Sequence, residues 1–182
     1  MRRIAQAVLA AACFGAGAAS AYPDKPVTFI VPFSAGGDAD LAGRNLGAAA
    51  QPLLRQPVVV VNKAGASGAI GSQLVKDAGA DGHTLLIARV GSNAVLPALR
   101  PATTYKWNDF TFLGLLELNP VVCVVHPESP YRNLDDLARA LRERAGKLNY
   151  SSSGIGTILH LGSLLLMQAL KVDADAAAHV AY

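Results

Sequence analysis

Residues 27–40 read VTFIVPFSAGGDAD, and this stretch decides the fold. Val27, Phe29, Ile30 and Val31 form a short apolar, β-rich run that Pro32 ends. Ser34-Ala35-Gly36-Gly37 follow, a turn of small residues that lets the backbone come close to whatever lies above the strand end. Asp38 or Asp40 is placed to cap a helix, and Ala42, Leu46, Ala49, Ala50 and Leu53 then recur at helical spacing. A strand end, a glycine turn and a helix N-terminus together present backbone N–H groups and the positive end of a helix dipole, which suits a carboxylate or phosphate. The same pattern also serves a plain βα connection, so its meaning depends on the rest of the chain.

Upstream, Arg2 and Arg3 precede an uncharged, alanine-rich run from Ile4 to Ala18, and Ala19-Ser20-Ala21 has the small-x-small pattern that signal peptidase reads. Residues 1–21 are read as an export signal cleaved after Ala21, with a periplasmic product. The run contains Gln6 and is rich in Ala and Gly, which argues against a permanent membrane span. Cys13 raises the alternative of a lipid anchor, but Leu9 lies one position too far upstream for a good lipobox. The chain holds 16 Lys+Arg against 13 Asp+Glu, and removing Arg2 and Arg3 leaves 14 against 13. A near-neutral mature protein gives no reason to propose nucleic acid as a partner. Cys123 is then the one remaining cysteine; it has no internal disulfide partner, and Val121, Val122, Val124 and Val125 around it mark a core position.

Downstream of the opening unit, strand and helix alternate. Pro57 to Val61 is a valine run of the kind buried on both faces of a parallel sheet. Residues 62–68, NKAGASG, form a flexible loop; Ile70 to Ala78 is a short helix, Asp81-Gly82 a turn and Thr84 to Ala88 a third strand. The order βαβαβ predicts a parallel sheet with right-handed crossovers and loops gathered at the strand C-termini. Gly91-Ser92-Asn93 follows the third strand, so three small-residue loops converge on one edge.

From Tyr105 the texture changes to a polar and aromatic link. Phe112 to Leu116 and Val121 to Val125 read as two strands that cross into a second lobe, dividing the mature chain into residues 22–119 and 120–182. Asn133 caps a helix from Leu134 to Arg144, Gly146 ends it, and Lys147 to Tyr150 begins another strand. Residues 151–157, SSSGIGT, lead into a helix carrying Leu159, Leu161, Leu164, Leu165, Leu166 and Met167. This repeats the opening design, and two anion-receptive junctions, one per lobe, suit a ligand with two acidic ends.

Rival chemistries find little support. Gly65-x-x-Gly68-x-x-Gly71 has the wrong first spacing for a dinucleotide fingerprint, and Thr84 to Ala88 leads to Arg89 rather than an acidic residue. There is no phosphate-loop lysine motif and no G-x-S-x-G elbow. His83, His126, His160 and His179 lack metal-ligand spacing, so neither a metal nor a cofactor is expected. His160, close to a helix start, is placed either to hydrogen-bond a ligand or to pack beside Leu159 and Leu161.

The runs PFSAGGDAD, VVVVNKAGASGAIG, DGHTLLIA and KLNYSSSGIGTILHLG resemble the periplasmic solute-binding receptors of tripartite tricarboxylate transporters, the Bug receptors, over essentially all of residues 22–182. The resemblance implies a two-lobed α/β clamshell that binds a small carboxylate (a dicarboxylate, a tricarboxylate or an acidic amino acid) and hands it to a membrane permease, without catalysis. Carried over by motif, the ligand loops are Phe33, Ser34, Ala35, Gly36 and Gly37 with Asp40; Gly65 and Gly68; Val90, Gly91 and Ser92; and Ser152, Ser153, Gly154, Gly156 and Thr157 with His160. The implied roles are backbone N–H donation, assisted by the hydroxyls of Ser34, Ser92, Ser153 and Thr157.

Two local departures stand out. Arg55 occupies the place of a helix-ending glycine, and Ala181 stands where the family usually has proline. The family's remaining strands and helices do not follow Tyr182, so the clamshell is expected to be incomplete and C-terminally truncated. Residues 22–182 alone are then expected to associate, to melt without a sharp transition and to bind dicarboxylates weakly or not at all. A non-functional fragment of an interrupted gene is the alternative reading, and a secreted α/β hydrolase-like enzyme a more distant one.

Overall fold

A computed structural model describes residues 21–182. The export signal read over residues 1–21, including Cys13, lies outside the described residues apart from Ala21. The first strand, β1 (Val27–Val31), follows from its β-branched and aromatic run and ends at Pro32, which has no N–H for a ladder. Helix α1 (Asp38–Leu54) follows, then β2 (Val58–Asn62), α2 (Ala69–Asp77) and β3 (Thr84–Leu86). The three strands form a parallel sheet in the order β2-β1-β3, with Phe29 beside both Val60 and Leu85.

Val27, Phe29 and Val31 share one face of β1 and pack with Ala39 of α1 and with Ile87. Helix α1 lies close on the sheet because Gly43 and Gly47 carry no side chain: a Cβ on Gly43 would stand 3.2 Å from both Ile87 and Val31, and one on Gly47 3.1 Å from Val58. The helix ends at Arg55, whose φ of 54° and ψ of 22° place it in the left-handed region that Gly usually fills. The departure noted in the sequence is thus a real non-glycine αL cap.

Two strand readings need correction. The valine strand β2 is an edge of the sheet, with Val59 at 46% exposure; the strand flanked on both sides is β1. A run of valines satisfies either place, and only the strand order separates them. Phe112 to Leu116 and Val121 to Val125 form no strands. Strand propensity requires a partner ladder, and among the described residues none lies beside them. Leu113, Leu115, Val122 and Val124 are exposed, and so is Cys123, which is a surface thiol rather than a core residue. Val121 packs where Gly162 leaves room.

Beyond β3, Gly91-Ser92-Asn93 are helical rather than a loop: a π-helical turn, Gly91–Val95, runs into α3 (Leu96–Leu99). Helix α4 (Leu134–Glu143) starts at Asn133, whose side chain accepts from the Asp136 N–H at 2.9 Å. Then come β4 (Leu148–Ser152), α5 (Ile158–Ala169) and β5 (Ala177–Ala181), with β4 and β5 paired in parallel. A second core of Leu141, Met167, Ala176 and Ala177 binds these elements together, and Arg142 of α4 donates to the Leu170 carbonyl at 2.6 Å.

Candidate functional site

Four loops that follow strands meet. A Cβ on Gly68 would lie 2.7 Å from Ser92 Cβ and 3.1 Å from the Phe33 ring, so the turns after β1, β2 and β3 touch. A Cβ on Gly91 would lie 2.9 Å from Thr157 Cα, and one on Gly154 2.6 Å from Ser67 Oγ, which brings the turn after β4 against the other three. The approach of Gly91 to Thr157 is to backbone and closer than a Cβ tolerates, so a glycine there is what permits the convergence, and the contacts at Gly68 and Gly154 leave little room for a side chain. Gly68 and Gly154, at φ of 93° and 124°, also need glycine for conformation.

The first turn is held from below. Asp40 is buried, and its Oδ2 accepts from Gly36 N–H at 2.9 Å and Arg44 Nε at 3.0 Å. Its Oδ1 accepts from Asn62 Nδ2 at 3.0 Å, and the same Nδ2 donates to the Phe33 carbonyl at 3.1 Å. The Arg44 hydrogen bond first, then Gly36 and Asn62, hold the Asp40 carboxyl down to about 2. Asp40 therefore fixes the turn, and the N-cap is Gly37, without a side-chain cap. Asp38 is the first residue of the helix, where its Oδ1 accepts from the Ala39 N–H at 2.7 Å, and its Oδ2 pairs at 3.1 Å with Arg89, which also stands 2.6 Å from Glu117. Ser34, Ala35, Gly36 and Gly37 are exposed above this base, while Phe33 is half-buried.

The hydroxyls divide into two sets. Ser92 is fully buried, its Oγ within 3.1 Å of the Arg89 carbonyl and 2.8 Å of Asn93 Oδ1, and its carbonyl accepts from the buried Tyr105 hydroxyl at 2.5 Å. Thr157 Oγ1 donates to the Gly154 carbonyl at 2.7 Å and caps α5 by accepting from His160 N–H. Both hydroxyls are hydrogen-bonded within the protein. Ser34 is exposed and Ser153 half-buried. Gly65 lies exposed at the start of the second turn, at φ 128°, and Val90 is exposed beside Gly91. Ile158 and Leu159 open α5, so their N–H groups have no carbonyl within that helix to bind.

Ser152 is buried, and its Oγ lies 2.7 Å from His179 Nε2 and 3.3 Å from both the N–H and the carbonyl of Gly154. His160 receives the Gly156 N–H on Nδ1 at 3.4 Å, and its ring lies 4.5 Å from that of His179. Burial first, and then His179, push the His160 imidazolium below its ordinary range.

Two residues of this constellation, Asn62 and His179, escaped the sequence reading, while Ser67 lies inside the loop Gly65 to Gly68 that it named. Asn62 ends a valine strand and so looked like the start of a loop. Ser67, at φ 56° beside Ala66 at 48°, holds two successive non-glycine residues in the left-handed region, a strain typical of functional turns. His179 lies on β5 and reaches Ser152 only through the β4–β5 pairing. An asparagine at a strand end was the one local signal available.

Residues 43–182 match the tripartite tricarboxylate transporter family receptor profile. A Pseudomonas sp. (strain P51) protein, described as the UPF0065 protein in the tcbD-tcbE intergenic region, is 40% identical over 154 residues, which are 84% of this chain and 46% of that one. The chain is also similar to the solved MatC (Rpa3494) from Rhodopseudomonas palustris with bound malate, at 32% identity and a TM-score of 0.81, covering 88% of this chain and 54% of that one. The periplasmic binding protein BugD matches at 31% identity and a TM-score of 0.64, covering 88% of this chain and 53% of that one. The chain spans about half the length of the curated relatives it matches. The two parallel sheets and their converging loops are correspondingly part of a periplasmic-binding-protein fold. By profile, relatives and fold together, the chain belongs to the receptor family of the tripartite tricarboxylate transporters.

Proposed function

We propose that the chain serves as an extracytoplasmic receptor for a small carboxylate, gripping it where the four turns meet and passing it to the membrane permease of a tripartite tricarboxylate transporter. The observation that carries this reading is the contact of Gly91 with Thr157 and of Gly154 with Ser67, which joins two sheets at their loop ends. The exposed turn at Ser34 to Gly37 and the start of α5 at Ile158 then offer N–H donors from two sides. Residues 22–119 and 120–182 are the two lobes on this reading, and the ligand-facing groups are Ser34 to Gly37, Gly65, Val90, Ser153 and the N–H groups around Gly156. The malate bound to MatC favours a dicarboxylate. A calorimetric screen of malate, succinate, citrate and glutamate against neutral and cationic solutes tests the proposal. Weak binding restricted to the anions is expected, and binding of only neutral or cationic solutes would exclude a carboxylate receptor.

A hydrolase reading has one observation in its favour, the Ser152 Oγ to His179 Nε2 distance of 2.7 Å. A nucleophile must reach its substrate, however, and Ser152 is 7% exposed with its hydroxyl tied to Gly154. Binding without turnover therefore accounts better for the geometry. Ester hydrolysis lost in Ser152→Ala would reverse that choice.

A further inference from the structure

His160 occupies a donor that the receptor reading assigns to the ligand. Gly156 lies in the turn before α5, and its N–H points to His160 Nδ1 at 3.4 Å. An imidazole nitrogen accepts only through a lone pair, so Nδ1 is bare in this arrangement and the ring proton of the neutral form sits on Nε2. Protonating Nδ1 removes the acceptor. The Gly156 N–H is then released, and an Nδ1–H donor with a positive charge appears next to it.

From this geometry we infer that His160 is a proton-operated gate on carboxylate binding at the turn 154–157, specific for anions and closed when the ring is neutral. The inference deepens the receptor reading and rests on it. With the ring neutral, Nδ1 competes with the ligand for the Gly156 N–H. With the ring protonated, Nδ1–H and the Gly156 N–H point at each other and repel, so the ring turns aside and leaves both donors for an incoming carboxylate, a charge-assisted arrangement.

The titratable groups around His160 are His179 on β5, with rings 4.5 Å apart, and Tyr150 on β4, whose ring lies 4.9 Å from that of His179. The two rings are tilted by 44° to one another, and burial first, then the neighbouring His179, make His160 harder to protonate than a free imidazole while the site is empty. Ser152, bound to His179 Nε2, fixes the second ring and contributes no charge. The residues of the opposing turns, Gly91 and Ser67, are likewise uncharged. A bound carboxylate supplies the missing negative charge and draws a proton onto His160. Binding and proton uptake are thereby linked, each favouring the other.

The test uses malate and the full chain. Malate affinity is expected to rise about tenfold from about pH 8 to about pH 6, where malate itself stays ionised, with proton uptake visible as calorimetric heats that depend on the buffer. In the ligand-free protein the Gly156 amide 15N shift is expected to follow the His160 titration. In His160→Asn, whose side-chain oxygen still accepts from Gly156 but does not titrate, both effects are expected to vanish. A Gly156 amide indifferent to His160 protonation, or malate affinity equal at the two pH values, overturns the gate and leaves the receptor reading standing. Absence of malate binding at every pH, with the Gly156 titration intact, overturns the receptor reading and the linkage with it.

Discussion

Gly91 lies so close to Thr157 that a methyl group on it would stand 2.9 Å from Thr157 Cα and 3.2 Å from Ile158 N. Both neighbours are backbone atoms at the start of α5, which a rotamer change does not move. The contact joins the turn after β3 to the turn after β4, and so joins the two sheets at their loop ends.

Gly91→Ala is therefore expected to push the two turns apart, costing about 1–3 kcal/mol as overpacking does. Urea denaturation measures the loss. Gly114→Ala is the control, because nothing lies within 4 Å of a Cβ there, and it should be neutral. Equal stabilities for the two variants would mean that the Gly91–Thr157 approach does not constrain the fold.

Arg55 gives the opposite sign. It caps α1 at φ 54° through its N–H to the Gln51 carbonyl at 3.0 Å, and it is exposed. Relieving a left-handed non-glycine residue favours glycine by about 1 kcal/mol after the greater unfolded-state freedom of glycine is counted. Arg55→Gly should raise the urea midpoint without altering any ligand response. A lowered midpoint would show that the Arg55 side chain contributes more than its backbone costs.

Asp40 sets an acid limit on stability. Its folded carboxyl titrates at about 2, below the usual unfolded value near 3.9, so the unfolded state binds the proton more readily. The stabilisation is complete above about pH 5 and is lost as pH falls through 4 towards 2. Asp81, held at about 2 first by Lys25 and then by the His83 N–H, acts in the same window. Thermal melting of Asp40→Asn should be lowered at pH 7 and should lose part of the acid-induced decline. A melting curve with the wild-type acid profile would show that Asp40 is not one of the groups responsible.

What was legible in the sequence was local. The run from Val27 to Val31 with Pro32 behind it, the Asn133 cap and the Thr157 helix start each carry their cause within a few residues, and each lies where it was read. Gly91-Ser92-Asn93 looked like a loop because those residues favour turns; they coil instead, with Ser92 Oγ turned back on the Arg89 carbonyl and Tyr105 holding the Ser92 carbonyl. Val121 to Val125 has strand composition, but a ladder is a property of two segments, and the second is not encoded nearby. The candidate site divides the same way. Its glycine turns were visible, whereas Asn62 and His179 acquire their places from tertiary contacts that no local pattern records.

The most direct test of the converged-turn site is a malate titration of uniformly 15N-labelled chain followed by amide shifts, which detects binding even at millimolar affinity. The account predicts saturable shifts at Gly36, Gly37, Gly68, Gly91, Gly154 and Gly156, absent when a neutral diol of similar size replaces malate. Shifts confined to other surfaces, or equal responses to malate and the diol, would contradict it.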